Sequence, residues 1–137
     1  MDAYECARAN LPPKERRGLV LIDPPFEQKD EFEKLASQMP QWKKRWATGT
    51  FLVWYPIKAH LPVTTLHEAA RSLELRRTWF AEALVAPRHQ TNMLTGCGVI
   101  VFNAPFTVPE RIEALLSYLR ETLSLHETTS GWLVPSE

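Results

Sequence analysis

Gly18-Leu19-Val20-Leu21-Ile22-Asp23-Pro24-Pro25-Phe26 is the stretch on which the reading of this chain turns. Five uncharged residues, four of them aliphatic, stop at a carboxylate, two prolines and an aromatic ring. Such a run reads as a buried parallel strand, and open α/β sheets bind ligands beyond the carboxyl ends of such strands. The turn after the strand has a chemistry of its own. A fixed carboxylate and a stiff, carbonyl-bearing turn hold an exocyclic amino group, while the ring stacks on the base that carries it. The competing reading of Asp-Pro-Pro is an ordinary strand-to-helix turn in which Asp23 caps the next segment.

Outward from this stretch the pattern alternates. Residues 2–10 read as a short helix ended by Leu11-Pro12-Pro13. From Lys29 to about Trp46, Phe32, Leu35, Met39 and Trp42 recur at helical spacing, and Pro40 inside the pattern predicts a kink or a split. Gly49 closes that helix, and Thr50–Tyr55 forms a second strand that Pro56 should stop. Leu61–Leu73 is a third helix with Pro62 in its first turn. Leu75–Val85 reads as a longer strand, residues 87–95 as a polar loop, and Gly98–Asn103 as a strand completing an antiparallel hairpin. Val108–Leu123 is a helix, and Trp132-Leu133-Val134 a short final strand. The expected fold class is α/β, with a mostly parallel sheet and one antiparallel hairpin strand.

The bulk numbers fit a single folded domain over residues 1–137. Hydrophobic residues make up 45% and charged ones 23%, and 16 Lys+Arg balance 16 Asp+Glu. A neutral chain is unlike a dedicated nucleic-acid binder, so any RNA contact falls to local patches, for which Lys14–Arg17, Lys43–Arg45 and Arg76-Arg77 are available. Cys6 and Cys97 form no CxxC pair and read as free thiols. His60, His67, His89 and His126 show no metal-ligand spacing, so surface or capping roles are expected for His60 and His67, and no metal. No apolar run reaches membrane length and no signal peptide is visible, so a cytoplasmic protein is expected.

Asp/Asn-Pro-Pro followed by an aromatic residue is the motif of enzymes that methylate the amino nitrogen of adenine or cytosine, and the element order resembles the C-terminal half of the Rossmann-like class I S-adenosyl-L-methionine-dependent methyltransferase fold. The long stretch Leu11–Glu27, with Ala47-Thr48-Gly49-Thr50, Trp54-Tyr55-Pro56, Gly98–Phe106 and Trp132–Pro135, narrows the resemblance. It is similar to the bacterial 23S ribosomal RNA adenine-N6 methyltransferase family RlmJ. The similarity spans essentially the whole chain but only about the C-terminal half of the family protein. No Gly-rich loop follows a first strand here, so the domain is read as a truncated one.

The resemblance implies roles residue by residue. Asp23 is the family's catalytic position and lies beside S-adenosylmethionine. Asp2 falls where the family has an acidic residue followed by glycine that binds the cofactor adenine, although Ala3 comes next here. Two of the three aspartates in the chain thus fall on carried-over positions. In the implied mechanism Asp23 and the Pro24 carbonyl accept the two amino hydrogens of the target base, Pro25 stiffens the turn, and Phe26 stacks on the base. Trp54 and Tyr55 line the base pocket, with one of the two turned into the core by strand alternation. Asn103-Ala104-Pro105-Phe106 mimics the motif, but on an antiparallel strand, and reads as structural. Arg88-His89-Gln90-Thr91-Asn92 is a polar loop that either reaches RNA phosphates or is merely solvated.

The expected partner is 23S ribosomal RNA, free of ribosomal protein. The alternatives are a non-catalytic α/β binding module and, more weakly, DNA adenine methylation. The isolated chain is expected to self-associate through the strand at Leu19–Ile22 and to bind S-adenosylmethionine weakly or not at all.

Overall fold

The computed structural model describes residues 5, 9–27 and 30–136. Its elements are β1 (Leu19–Ile22), α1 (Glu31–Trp46), β2 (Thr50–Ile57), α2 (Val63–Ser72), β3 (Thr78–Leu84), β4 (Gly96–Phe102), α3 (Val108–Leu123) and β5 (Glu127–Val134). The five strands form one sheet in the order β1-β2-β4-β3-β5. β1 pairs parallel with β2, whereas β4 runs antiparallel to both β2 and β3, and β5 antiparallel to β3. The α/β class and the antiparallel hairpin hold. The pairing itself is mixed rather than mostly parallel, because β4 inserts between β2 and β3 and a long β5 closes the far edge.

The core explains the helices. Phe32, Leu35, Met39 and Trp42 project from one face of α1 and are all buried, as are Leu66 and Ala70 of α2. They cover the sheet face made by Phe51, Val53, Ile100 and Phe102. Trp42 stacks on Phe51 with ring centroids 5.6 Å apart and meets Phe102 edge-on at 6.5 Å. The opposite face carries a smaller cluster of Trp79, Ala81, Val101 and Ala104, against which Ile112 and Leu116 of α3 pack. Acidic Glu31 and Glu33 open α1, and basic Lys43, Lys44 and Arg45 end it, in the sense that complements the helix dipole.

Three expectations are corrected. α1 runs as one helix through Pro40 rather than splitting there. The Pro40 ring faces solvent, so the donor it lacks leaves a helix carbonyl that water can serve. β2 does not stop at Pro56 but continues to Ile57, because the side of Pro56 without an N–H faces away from β4. β1 is parallel as expected, yet it is an edge strand among the described residues, and Leu19 and Leu21 remain 62% and 64% exposed. A strand with one neighbour and one covered face buries only alternate residues.

Candidate functional site

Asp23, Pro24, Pro25 and Phe26 come directly after β1, at the edge of the sheet where β1, β2 and β3 all end. Burial alternates through the turn: Asp23 and Pro25 are exposed, Pro24 and Phe26 buried. The Asp23 carboxylate is therefore free to meet a ligand while the residue after it anchors the backbone. Phe26 takes φ 49°, a left-handed conformation that a bulky side chain adopts only when its surroundings enforce it, at a cost of about 1–3 kcal/mol. The enforcement is aromatic. Its ring centroid lies 5.3 Å from Phe32 of α1 and 5.8 Å, edge-on, from Trp54 of β2. Backbone strain held by packing beside an exposed carboxylate makes this turn the candidate site.

An open groove of about 660 Å³ runs along the free side of β1 and ends at Asp23. Its walls include Leu11, Leu19, Leu21, Trp42 and Trp46, with Arg17 near one end. The segment carrying Leu11 is held against α1 by Arg45, whose guanidinium donates to the Leu11 carbonyl at 3.3 Å. The groove is mostly apolar and follows the edge of β1 left unpaired among the described residues, with Asn10, Glu15, Arg17 and Asp23 as its polar lining.

Trp54 and Tyr55 part company, as neighbours on a strand must. Trp54 is half-buried and touches Phe26, so it stands at the site. Tyr55 is wholly buried on the other face and belongs to the core, which corrects its placement in the base pocket. Asp2 and Ala3 lie outside the described residues.

Comparison with known proteins now bears on this geometry. Residues 1–134 match the family described as "Ribosomal RNA large subunit methyltransferase D, RlmJ". The chain belongs to the RlmJ family. It is 35% identical over 133 residues to the Haemophilus influenzae protein named ribosomal RNA large subunit methyltransferase J, and 32% identical over 137 residues to the Escherichia coli protein of that name. These matches cover 97% and 98% of this chain but 47% and 49% of the relatives, so it spans about half their length. A crystal structure of a Legionella pneumophila protein superposes with a TM-score of 0.78 at 26% identity, covering 96% of this chain and 48% of that one.

This RlmJ-family chain also holds a buried cluster of titratable side chains away from Asp23. Tyr55 donates its hydroxyl hydrogen to Glu82 Oε1 at 2.8 Å, and His67 Nε2 lies 2.9 Å from the Tyr55 hydroxyl oxygen. Since the Tyr55 proton is already given to Glu82, His67 Nε2 carries hydrogen and donates to the Tyr55 oxygen. Arg88 closes the network on Glu82 Oε2. The register explains the reach. Tyr55, Gly98 and Glu82 are consecutive cross-strand partners, and a Cβ on Gly98 would lie 2.3 Å from Tyr55 Cζ. Glycine at 98 lets the phenol cross β4. Burial pushes the Tyr55 pKa well above its ordinary value, with Glu82 adding to the effect, and burial lowers that of His67 against the pull of Glu82.

This corrects the surface role expected for His67 and commits Arg88 of the polar loop to an internal partner. The only sign in the sequence was one glutamate inside the apolar strand Trp79–Leu84. Asn103 and Ala104 are structural, as expected. Asn103 donates through Nδ2 to the carbonyls of Ala47 and Gly49, and Arg77 Nε donates to the Ala104 carbonyl at 2.6 Å. Arg77 also covers the Phe106 ring at 3.7 Å. Lys43 is tied to the Leu73 carbonyl. Two of the three basic clusters thus contribute to holding the fold, at the edge opposite Asp23. Among the described residues no cluster of metal-ligating side chains occurs, and no helix is long and apolar enough to cross a membrane. Cys97 is a free thiol.

Proposed function

We propose that the family-length protein methylates N6 of a specific adenine in 23S ribosomal RNA, and that this chain carries the half that grips the base. The observation behind this reading is the exposed Asp23 carboxylate at the end of β1, next to a turn whose strained Phe26 is held by Phe32 and Trp54.

The methyl donor of this reading is S-adenosyl-L-methionine, and the residues present suit it. The groove beside β1 has apolar walls for a flat heterocycle, and it ends at a carboxylate that complements a sulfonium charge. When bound, the cofactor supplies the methyl group. Asp23 and residues of the groove wall would hold it, with Asp2 and Ala3 as further contacts.

The chain's own task is to prepare the nucleophile. An exocyclic amino nitrogen is weakly nucleophilic because its lone pair is delocalised into the ring. Asp23 Oδ and the Pro24 carbonyl accept its two hydrogens, localise the lone pair and stabilise the positive charge that develops on nitrogen. Pro24 and Pro25 fix the backbone so that both acceptors are aimed before the base arrives. The base is extruded from its stack and received by Phe26, with Trp54 completing the aromatic wall.

The test is methylation of protein-free 23S RNA, of the assembled large subunit and of duplex DNA by the family-length protein, with the modified nucleoside identified by mass spectrometry. N6-methyladenosine from protein-free RNA alone supports the reading. Product only from DNA, or none from any substrate, defeats it. We also propose that the 137-residue chain by itself self-associates along β1, where Leu19 and Leu21 are exposed beside unpaired backbone groups.

A further inference from the structure

The pairing of β1 with β2 stops abruptly, and the residues that stop it can be named. Thr50 donates its N–H to the Gly18 carbonyl at 3.3 Å. The parallel register then runs from Leu19–Thr50 to Ile22–Val53. Along an extended strand the N–H and C=O of one residue face the same side, and sides alternate. Thr50 faces β1, and so, in turn, do Leu52, Trp54 and Pro56. The other parity agrees: the Ile57 carbonyl accepts from Thr95 N–H at 2.9 Å, on the β4 side.

The offset set by Thr50 and Gly18 fixes which bonds come next. After the Trp54 N–H reaches the Ile22 carbonyl, the ladder calls for an N–H from residue 24 to the Trp54 carbonyl. It then calls for an N–H from residue 56 to the Pro24 carbonyl. Both donors are prolines and have no hydrogen. Proline inside a sheet is confined to places where no ladder bond is asked of it, yet Pro56 sits buried in the second strand. Asp23 and Pro24 each precede a proline, which biases both toward extended backbone and keeps Pro24 in line with β1. In that continued register the Pro24 carbonyl would face β2, where Pro56 has no N–H to offer it.

We infer that Pro56 is a positioning residue: by withholding an N–H from the Pro24 carbonyl, it keeps that oxygen available to the amino group of the target base. This rests on the reading of Asp23–Phe26 proposed above. It adds that the acceptor is kept free by a second proline, thirty-two residues further along on the adjacent strand.

Pro56→Ala restores the missing donor. In the family-length protein the residue-56 amide is expected to become protected from hydrogen exchange and the melting temperature to stay level or rise. The kcat for RNA methylation should fall on the order of 10²-fold, with KM little changed. A residue that merely packed would lose stability and activity together. The rescue is the α-hydroxy acid analogue of alanine at position 56, an ester with no N–H, which should regain activity. Full activity of Pro56→Ala overturns the inference, as does an ester variant no more active than Pro56→Ala, which would assign the effect to the ring. If Pro56→Ala does not fold, Pro56→Val, a better strand former, is read the same way. An active Asp23→Ala protein would instead bring down the underlying reading, while protection at residue 56 would still report on the Pro24 carbonyl.

Discussion

β2 has two unlike sides. Toward β4 it is paired in register along seven residues, from Phe51 to Ile57, and the side chains flanking that seam form the buried Tyr55–Glu82–His67 network. Toward β1 it is paired along four, from Thr50 to Val53, and past that point lie an exposed carboxylate and a strained aromatic. The two sides share one strand and one composition. They differ in whether the ladder has its donors. Where every backbone group is served the molecule is a core, and where prolines interrupt the ladder the strand gives way to the turn that carries the candidate site.

The largest effect should come from the interrupted side. Asp23→Ala in the family-length protein is expected to lower kcat for RNA methylation by about 10²–10³-fold with the melting temperature unchanged, since the carboxylate is exposed. Kinetics and a thermal melt on one preparation check both halves. A fall in melting temperature that tracks the activity would erase the contrast between the two sides.

The complete side should answer in stability. Gly98→Ala places a methyl group against the Tyr55 ring and is expected to cost about 1–3 kcal/mol, measured by urea unfolding. Tyr55→Phe removes the hydroxyl between Glu82 and His67 and leaves buried polar groups short of a partner, also at about 1–3 kcal/mol. Because both changes strike one network, the double variant should cost less than the sum of the two. Strict additivity would mean that the glycine serves something other than the crossing of Tyr55.

A subtler pair of tests sharpens the boundary. Leu19→Lys with Leu21→Lys should shift the isolated chain toward monomer in sedimentation velocity, because charges on an edge strand oppose pairing. The smallest effect is on pH dependence. Burial lowers the His67 pKa in the folded chain, so the unfolded chain binds the proton more readily. The stability this contributes is fully present above the unfolded value near 6.5 and is lost as pH falls below it toward the folded pKa. Unfolding curves at about pH 7.5 and about pH 5.5, on either side of that value, should show the decline, and His67→Gln should flatten it.

Much of this could be read from the sequence because the signals are local. Phe32, Leu35, Met39 and Trp42 repeat at helical spacing, and α3 occupies Val108–Leu123, the bounds its pattern predicts. Asp23–Phe26 announces itself at a strand end. The features that were not legible depend on partners distant in the chain. Glu82 looks like an intruder in an apolar strand until Tyr55, His67 and Arg88 arrive from β2, α2 and the loop after β3. Pro56 reads as a stop until register shows that its missing donor faces β1 and not β4. The exposure of Leu19 and Leu21 comes from the position of β1 at the sheet edge, which its own residues do not encode and which was expected only from the resemblance to half of a longer family protein.

Asn103 ties the carbonyls of Ala47 and Gly49 to the end of β4, just beyond the last turn of α1. At that same end the indole of Trp46 occupies the space a side chain at 49 would need. The helix, about 24 Å long at about 1.5 Å per residue, is therefore pinned at its far end, while its near end bears Phe32 against Phe26. Between those two ends Leu35, Met39 and Trp42 are buried against the sheet. The place of Phe32 against Phe26 is therefore set in part by contacts a full helix length away, so loosening the Asn103 bonds should disturb the turn after β1 without touching it.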